Sequence, residues 1–223
     1  MEFTLDLSVD RENLEDALKA LISTILFYRT FGAIVPGTRD FLETPYPVID
    51  NEEIEKEISE RVGYVLNKLD HDPMSSSTTP FGSPGGSNST NPYANITFDD
   101  DNAHQQIKEE NARFAQLSIK FYDRKRVKRP SWFGKLEEDV QWETWLINVT
   151  LVPQQGKDQD QRQQFYNQLN GQVENLIFEI SNKVDSHKDH IPVITSAELM
   201  PFGYTIQLVG NQGWTGFIKK LLE

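Results

Sequence analysis

The stretch Leu117 to Val152, LSIKFYDRKRVKRPSWFGKLEEDVQWETWLINVTLV, decides how the chain folds. At its start Leu117, Ile119 and Phe121 alternate with Ser118, Lys120 and Tyr122, the period-two pattern of a strand with one buried face. At its end Trp145, Ile147, Val149 and Leu151 alternate with Thr144, Leu146, Asn148 and Thr150. Pro153 closes that run, because proline lacks the amide donor a central ladder needs. The second strand carries apolar side chains on both faces, which places it in the middle of a sheet. Between the two lies an over-long connection, Asp123 to Gln141. Hairpin loops usually take about 2 to 5 residues, and longer ones are generally functional or disordered.

The connection is unevenly composed. Five basic residues, Arg124, Lys125, Arg126, Lys128 and Arg129, precede Pro130-Ser131-Trp132-Phe133-Gly134, and Glu137, Glu138 and Asp139 follow. Proline and glycine bracket the aromatic pair, so a protruding turn is expected. In one reading Trp132 and Phe133 fold back on the core as a lid. In the other they face water and forgo burial worth roughly 1.5 to 3 kcal/mol per side chain. That is a large share of a net stability of about 5 to 15 kcal/mol, so exposure implies use as anchors for another protein. The basic run is a candidate electrostatic patch. Its alternative use is binding nucleic acid or anionic membrane.

Outward from this stretch, Asp10 to Arg29 carries Leu14, Leu18, Leu21, Ile25 and Tyr28 on one helical face. Asp10 and Glu12 suit the positive end of its dipole, Arg29 suits the negative end, and Gly32 offers a left-handed stop. Phe31 to Val48 fits either a short hairpin or an ordered connection. A second helix is expected from Asp50, with Ile54, Ile58, Val62, Val65 and Leu69 inward. A third is expected over Asp158 to Val184, interrupted only by Gly171. Strand signals follow at Val193 to Ser196 and Phe202 to Val209, then a final helix over Trp214 to Leu222. From Asp72 to Thr97, 20 of 26 residues are Ser, Thr, Pro, Gly or Asn. Such a composition buries too little apolar area to offset its ordering entropy, and a flexible insert reaching Asn111 is expected. Helices and strands are partly segregated, so the class is α+β with a mainly antiparallel sheet.

The 223 residues contain no cysteine and carry a net charge of −12, with a pI near 4.8 and a mean hydropathy of −0.55. Without cysteine there are no disulfides, thiolate nucleophiles or thiolate metal sites, and a cytoplasmic location is expected. The acidic balance repels nucleic acid and anionic lipid at long range. The longest dense apolar stretch, Ala20 to Tyr28, is too short to span a bilayer. His187 and His190 flank Asp189 with no third strong ligand nearby and read as a solvated helix end, not a metal site. The adjacent acids Asp99 to Asp101 lack the desolvation that tunes a catalytic carboxylate. Phe81 to Gly86 lacks the Gly-Lys-Ser/Thr ending of a phosphate loop. No catalytic residue, cofactor or metal is expected.

The order within Leu117 to Val152 is a strand ending Phe121-Tyr122, a basic run, Trp132 and Phe133 on a finger, an acidic patch, then Trp142-Glu143-Thr144-Trp145 leading a strand. It resembles the autophagy-initiation branch of the HORMA-domain family. A short N-terminal strand, three helices and a tail with a tyrosine-bearing strand keep the same order, so the resemblance covers most of the chain outside Asp72 to Asn111. It implies a single HORMA-like domain over residues 1–223 with a flexible insert at about 72–111. In that fold three main helices pack on a mainly antiparallel sheet, and the C-terminal strand and helix segment differs between conformers in relatives. It also implies a non-catalytic scaffold that heterodimerises with the HORMA domain of autophagy-related protein 13 within the autophagy-initiating kinase complex, at the pre-autophagosomal structure. The finger aromatics map onto Trp132 and Phe133, with Pro130 before them, and recruit downstream autophagy factors. Family members commonly set a proline between the two aromatics, whereas here they are adjacent.

Overall fold

The structure, a computed structural model, describes residues 1–71, 113–127, 136–153, 159–194 and 198–209. The expected insert, the turn carrying Pro130, Trp132 and Phe133, and the expected final helix lie outside the described residues.

Strand β1 (Glu2–Val9) reads EFTLDLSV, and its alternation is realised in full: Phe3, Leu5, Leu7 and Val9 are buried while the residues between them are exposed. Helix α1 (Leu14–Tyr28) buries Leu14, Leu18, Leu21 and Ile25 and carries Glu15 and Asp16 in its first turn, where the helix dipole favours acids. Ahead of it Asp10 is buried and accepts from the amide of Asn13 and, at 2.7 Å, from its side chain. The region Phe31 to Val48 contains a hairpin of β2 (Pro36–Phe41) and β3 (Thr44–Ile49). Its turn places Leu42 at φ 52, a left-handed conformation costing a non-glycine residue roughly 1–2 kcal/mol. The tip is held from outside: Asn170 Oδ1 accepts from the Glu43 amide at 3.1 Å and from Thr44 Oγ1 at 2.9 Å.

Helix α2 (Glu52–His71) starts two residues later than the sequence implied. The cap is Asn51, not Asp50, because its Oδ1 accepts from the amides of Glu53 and Ile54 at 3.0 and 3.1 Å. Helix α3 (Gln159–Ser186) buries Leu169, Val173, Leu176, Ile180 and Val184, one face of a long amphipathic helix.

Strands β4 (Arg113–Val127), β5 (Leu136–Leu151) and β6 (Gly203–Leu208) join β1 in a sheet of order β1-β5-β4-β6. The β5–β4 and β4–β6 pairs are antiparallel and β1 runs parallel to β5. The fold is therefore α+β, with three helices among the described residues and a mainly antiparallel sheet whose central strands are β4 and β5. Inward side chains of β1, β4 and β5 form one core with the apolar faces of all three helices.

Two further expectations are corrected. Val193 and Ile194 form no strand: Ile191 bonds back to Lys188 in a turn, Pro192 follows, and Val193 is 84% exposed. Apolar β-branched residues favour strands only where a neighbouring strand gives them a surface to pack on. Gly32 is not a left-handed stop but a point of close approach. A Cβ there would lie 2.5 Å from Glu198 O and Leu199 Cα, where the chain returns towards β6 and Leu199 O accepts from the Gly32 amide. Arg29 stands at the C-terminal end of α1, as expected, and is buried there for the reason given below.

Candidate functional site

The connection expected from Asp123 to Gln141 is largely strand. After Phe121 opposite Glu143, the ladder continues with Tyr122 opposite Gln141, Asp123 opposite Val140, and on to Val127 opposite Leu136. Only residues 128–135 remain between the strands. Because β6 pairs with β4 no further than Tyr122 and β1 begins opposite Thr144, residues 123–127 and 136–140 run past both neighbours as a two-stranded ribbon.

The candidate patch and anchors divide across this ribbon. Arg124, Lys125 and Arg126 lie on β4, opposite Asp139, Glu138 and Glu137 of β5. The basic and acidic runs are thus the two sides of one ladder, each of these three basic positions in register with an acidic one. Lys128, Arg129, Pro130, Trp132 and Phe133 belong to the connection at its far end, outside the described residues.

At its base the ribbon is bolted to the core. The register shifts by one residue between Phe121 and Tyr122, so Trp142 and Glu143 of β5 share the space opposite Phe121, the geometry of a bulge. Both are buried, and Trp142 packs on Phe121 and on Phe202. The Glu143 carboxylate is fully buried and takes four contacts. Arg29 donates from Nε to Oε1 and from Nη2 to Oε2, each at 2.7 Å. Trp145 Nε1 donates to Oε1 at 2.5 Å, and His190 Nε2 lies 2.6 Å from Oε2. The Arg29 guanidinium also stands 6.0 Å from the Trp142 ring centre, within cation–π range.

A buried carboxylate persists only when paired and hydrogen-bonded, and this one is both. It ties the end of α1, the bulge in β5 and the segment after α3 to one point beneath the ribbon. Sequence reasoning missed this cluster and treated His190 as solvated. The available signal was Glu143 itself, an acid in phase with the inward residues Trp145, Ile147 and Val149, which demands a buried cation. Among the described residues no group of three or more His, Cys, Asp or Glu is placed to hold a metal ion, and no helix is long and apolar enough to cross a membrane.

These features define the class: an α+β protein with a four-stranded mixed sheet whose two longest strands leave it together as a charged ribbon on a buried ionic base. The family model described as Autophagy-related protein 101 matches residues 6–198. The chain belongs to that family of autophagy proteins. It is 24% identical over 220 residues to Autophagy-related protein 101 of Arabidopsis thaliana, covering 90% of this chain and 84% of that one. To Autophagy-related protein 101 of Schizosaccharomyces pombe it is 19% identical over 219 residues, covering 98% and 93%.

Proposed function

We propose that this protein is a non-catalytic scaffold of the autophagy-initiating kinase complex. Residues 1–223 form one HORMA-like domain with a flexible insert at about 72–111, which heterodimerises with the HORMA domain of autophagy-related protein 13 in the cytoplasm and at the pre-autophagosomal structure. Downstream autophagy factors are recruited through Trp132 and Phe133. Family membership supports the autophagy role. The observation that supports this reading is the ribbon, residues 123–127 paired with 136–140, which extends past both neighbouring strands from a base at Glu143 and whose two strands the sequence joins through the segment with Pro130, Trp132 and Phe133. The register of Arg124, Lys125 and Arg126 against three acids supports a protein-facing arm over a polyanion-binding one, since each basic position has an acidic one opposite.

The test is the double substitution Trp132→Ala with Phe133→Ala in the full chain. The expected outcome is an unchanged melting temperature and undiminished co-elution with the partner HORMA domain, with pull-down of downstream autophagy factors abolished. A melting temperature lowered by several degrees with recruitment intact would mean that the aromatics serve this protein's own core.

A further inference from the structure

At the opposite side of the sheet from β6, strand β1 is an edge among the described residues. The Thr144 amide donates to Met1 O and the Val152 amide to Val9 O, both at 2.9 Å, so the odd-numbered residues of β1 turn their peptide groups towards β5. In a parallel ladder successive residues alternate, so Glu2, Thr4, Asp6 and Ser8 present their N–H and C=O groups outward. Glutamine side chains of α3 meet this edge. With its carboxamide oriented to satisfy both groups, Gln172 donates to Ser8 O at 2.8 Å and accepts from Ser8 N at 3.2 Å. A side-chain amide thereby makes the paired contacts that a neighbouring strand would make.

Beside Gln172 an open groove runs between Ser8 and Val152 on the sheet side and Gln161, Gln164, Phe165 and Gln168 on α3. Its wall offers amide donors and acceptors around an apolar floor, which suits a polypeptide backbone with alternating side chains. The outward side chains of β1 are acidic at Glu2 and Asp6, and the Asp6 carboxylate is fixed by Asn148 Nδ2 at 2.7 Å. A second copy is the wrong occupant. Antiparallel pairing of two β1 strands brings the acids of one copy opposite or diagonal to those of the other, in a chain already at −12.

We propose that the outer edge of β1 is a strand-addition site for an extended segment of a partner protein that carries lysine or arginine at alternate positions. Backbone hydrogen bonds to Thr4 and to the Asp6 amide supply the affinity, the Gln172 carboxamide already standing 3.4 Å from Asp6 O, and the basic side chains face Glu2 and Asp6. This surface is separate from the ribbon and does not depend on the aromatic finger.

A fluorescein-labelled KVKVKVK peptide titrated against the full chain at low salt tests it. Expected are saturable anisotropy, slowed amide exchange at Thr4 and Asp6, and at least tenfold weaker binding of EVEVEVE. Thr4→Pro removes an outward donor that β5 does not use, so it should weaken binding at least tenfold with the unfolding midpoint unchanged. A KVKVKVK peptide N-methylated at alternate residues should fail without any change to the protein. Absence of binding at low salt, or equal binding by the methylated peptide, overturns the proposal. So does a concentration-dependent dimer of the free chain that Thr4→Pro dissolves, because the occupant is then a second copy.

Discussion

Glu143 and Arg29 form the residue pair on which the most elements converge. Desolvating both charges offsets much of their attraction, so the intact pair adds little net stability, yet removing one partner strands the other in the core. Glu143→Ala is therefore expected to lower unfolding free energy by about 3–5 kcal/mol in urea titrations, and the double substitution Arg29→Met with Glu143→Leu to recover most of that loss. A second residue sets a pH dependence. Tyr204 on β6 donates to Glu57 of α2 at 2.6 Å, and burial, then that hydrogen bond, hold its phenol well above the ordinary 10.0. The folded state favours the protonated form, so this contribution is complete below pH 10 and is lost as pH rises beyond it, when the unfolded chain ionises first. Between about pH 9 and 11, Tyr204→Phe should make stability fall less steeply than in the parent chain. Some slope remains, because burial also raises Tyr46.

At the scale of elements, the helices are governed by local rules that can be altered predictably. Gly171 lies inside α3 with open space around the position of an added Cβ. Gly171→Ala should raise unfolding free energy by about 0.5–1 kcal/mol, read as a higher denaturant midpoint at constant slope. The same locality explains what could be read in advance. The apolar periods of α1, α2 and α3, and the alternation of β5 from Thr144 to Leu151, announced those elements because each buries one continuous face. The ribbon did not announce itself: Arg124 to Arg126 and Glu137 to Asp139 are charged throughout, so the sequence there has no hydrophobic period to detect. The bulge at Trp142 hid its base by putting two consecutive residues inside, which breaks alternation. The β2–β3 hairpin stayed undecided because Pro45 and Pro47 are poor strand formers and its left-handed turn position holds Leu42 where glycine or asparagine is usual. The parallel pairing of β1 with β5 joins residues some 140 positions apart, and no local pattern encodes it. For the candidate site, the aromatic and basic residues stood out by composition, whereas the Arg29–Glu143–His190 base depends on three distant segments meeting.

Across the described residues, one core links all three helices to the sheet, and Leu69 and Ala115 are its members on either side of residues 72–112. If residues 72–112 are an insert and not part of the core, closing a shorter loop costs less entropy and nothing else changes. Replacing those 41 residues with a 12-residue Gly/Ser linker should then stabilise the fold by about 1 kcal/mol, since each doubling of loop length costs about 0.6 kcal/mol. Such a linker reaches about 40 Å when extended, comparable with the diameter of a domain this size, so it imposes no strain. Urea unfolding of the shortened chain separates the two arrangements. A midpoint equal to or above that of the parent places the stability in the described helices and strands, while a loss of several kcal/mol would mean that this segment covers part of the sheet. The buried polar residues Ser118, Thr144 and Asn148, which share the sheet surface opposite the inward side chains of β4 and β5, are where that cover would lie and where amide exchange would first accelerate.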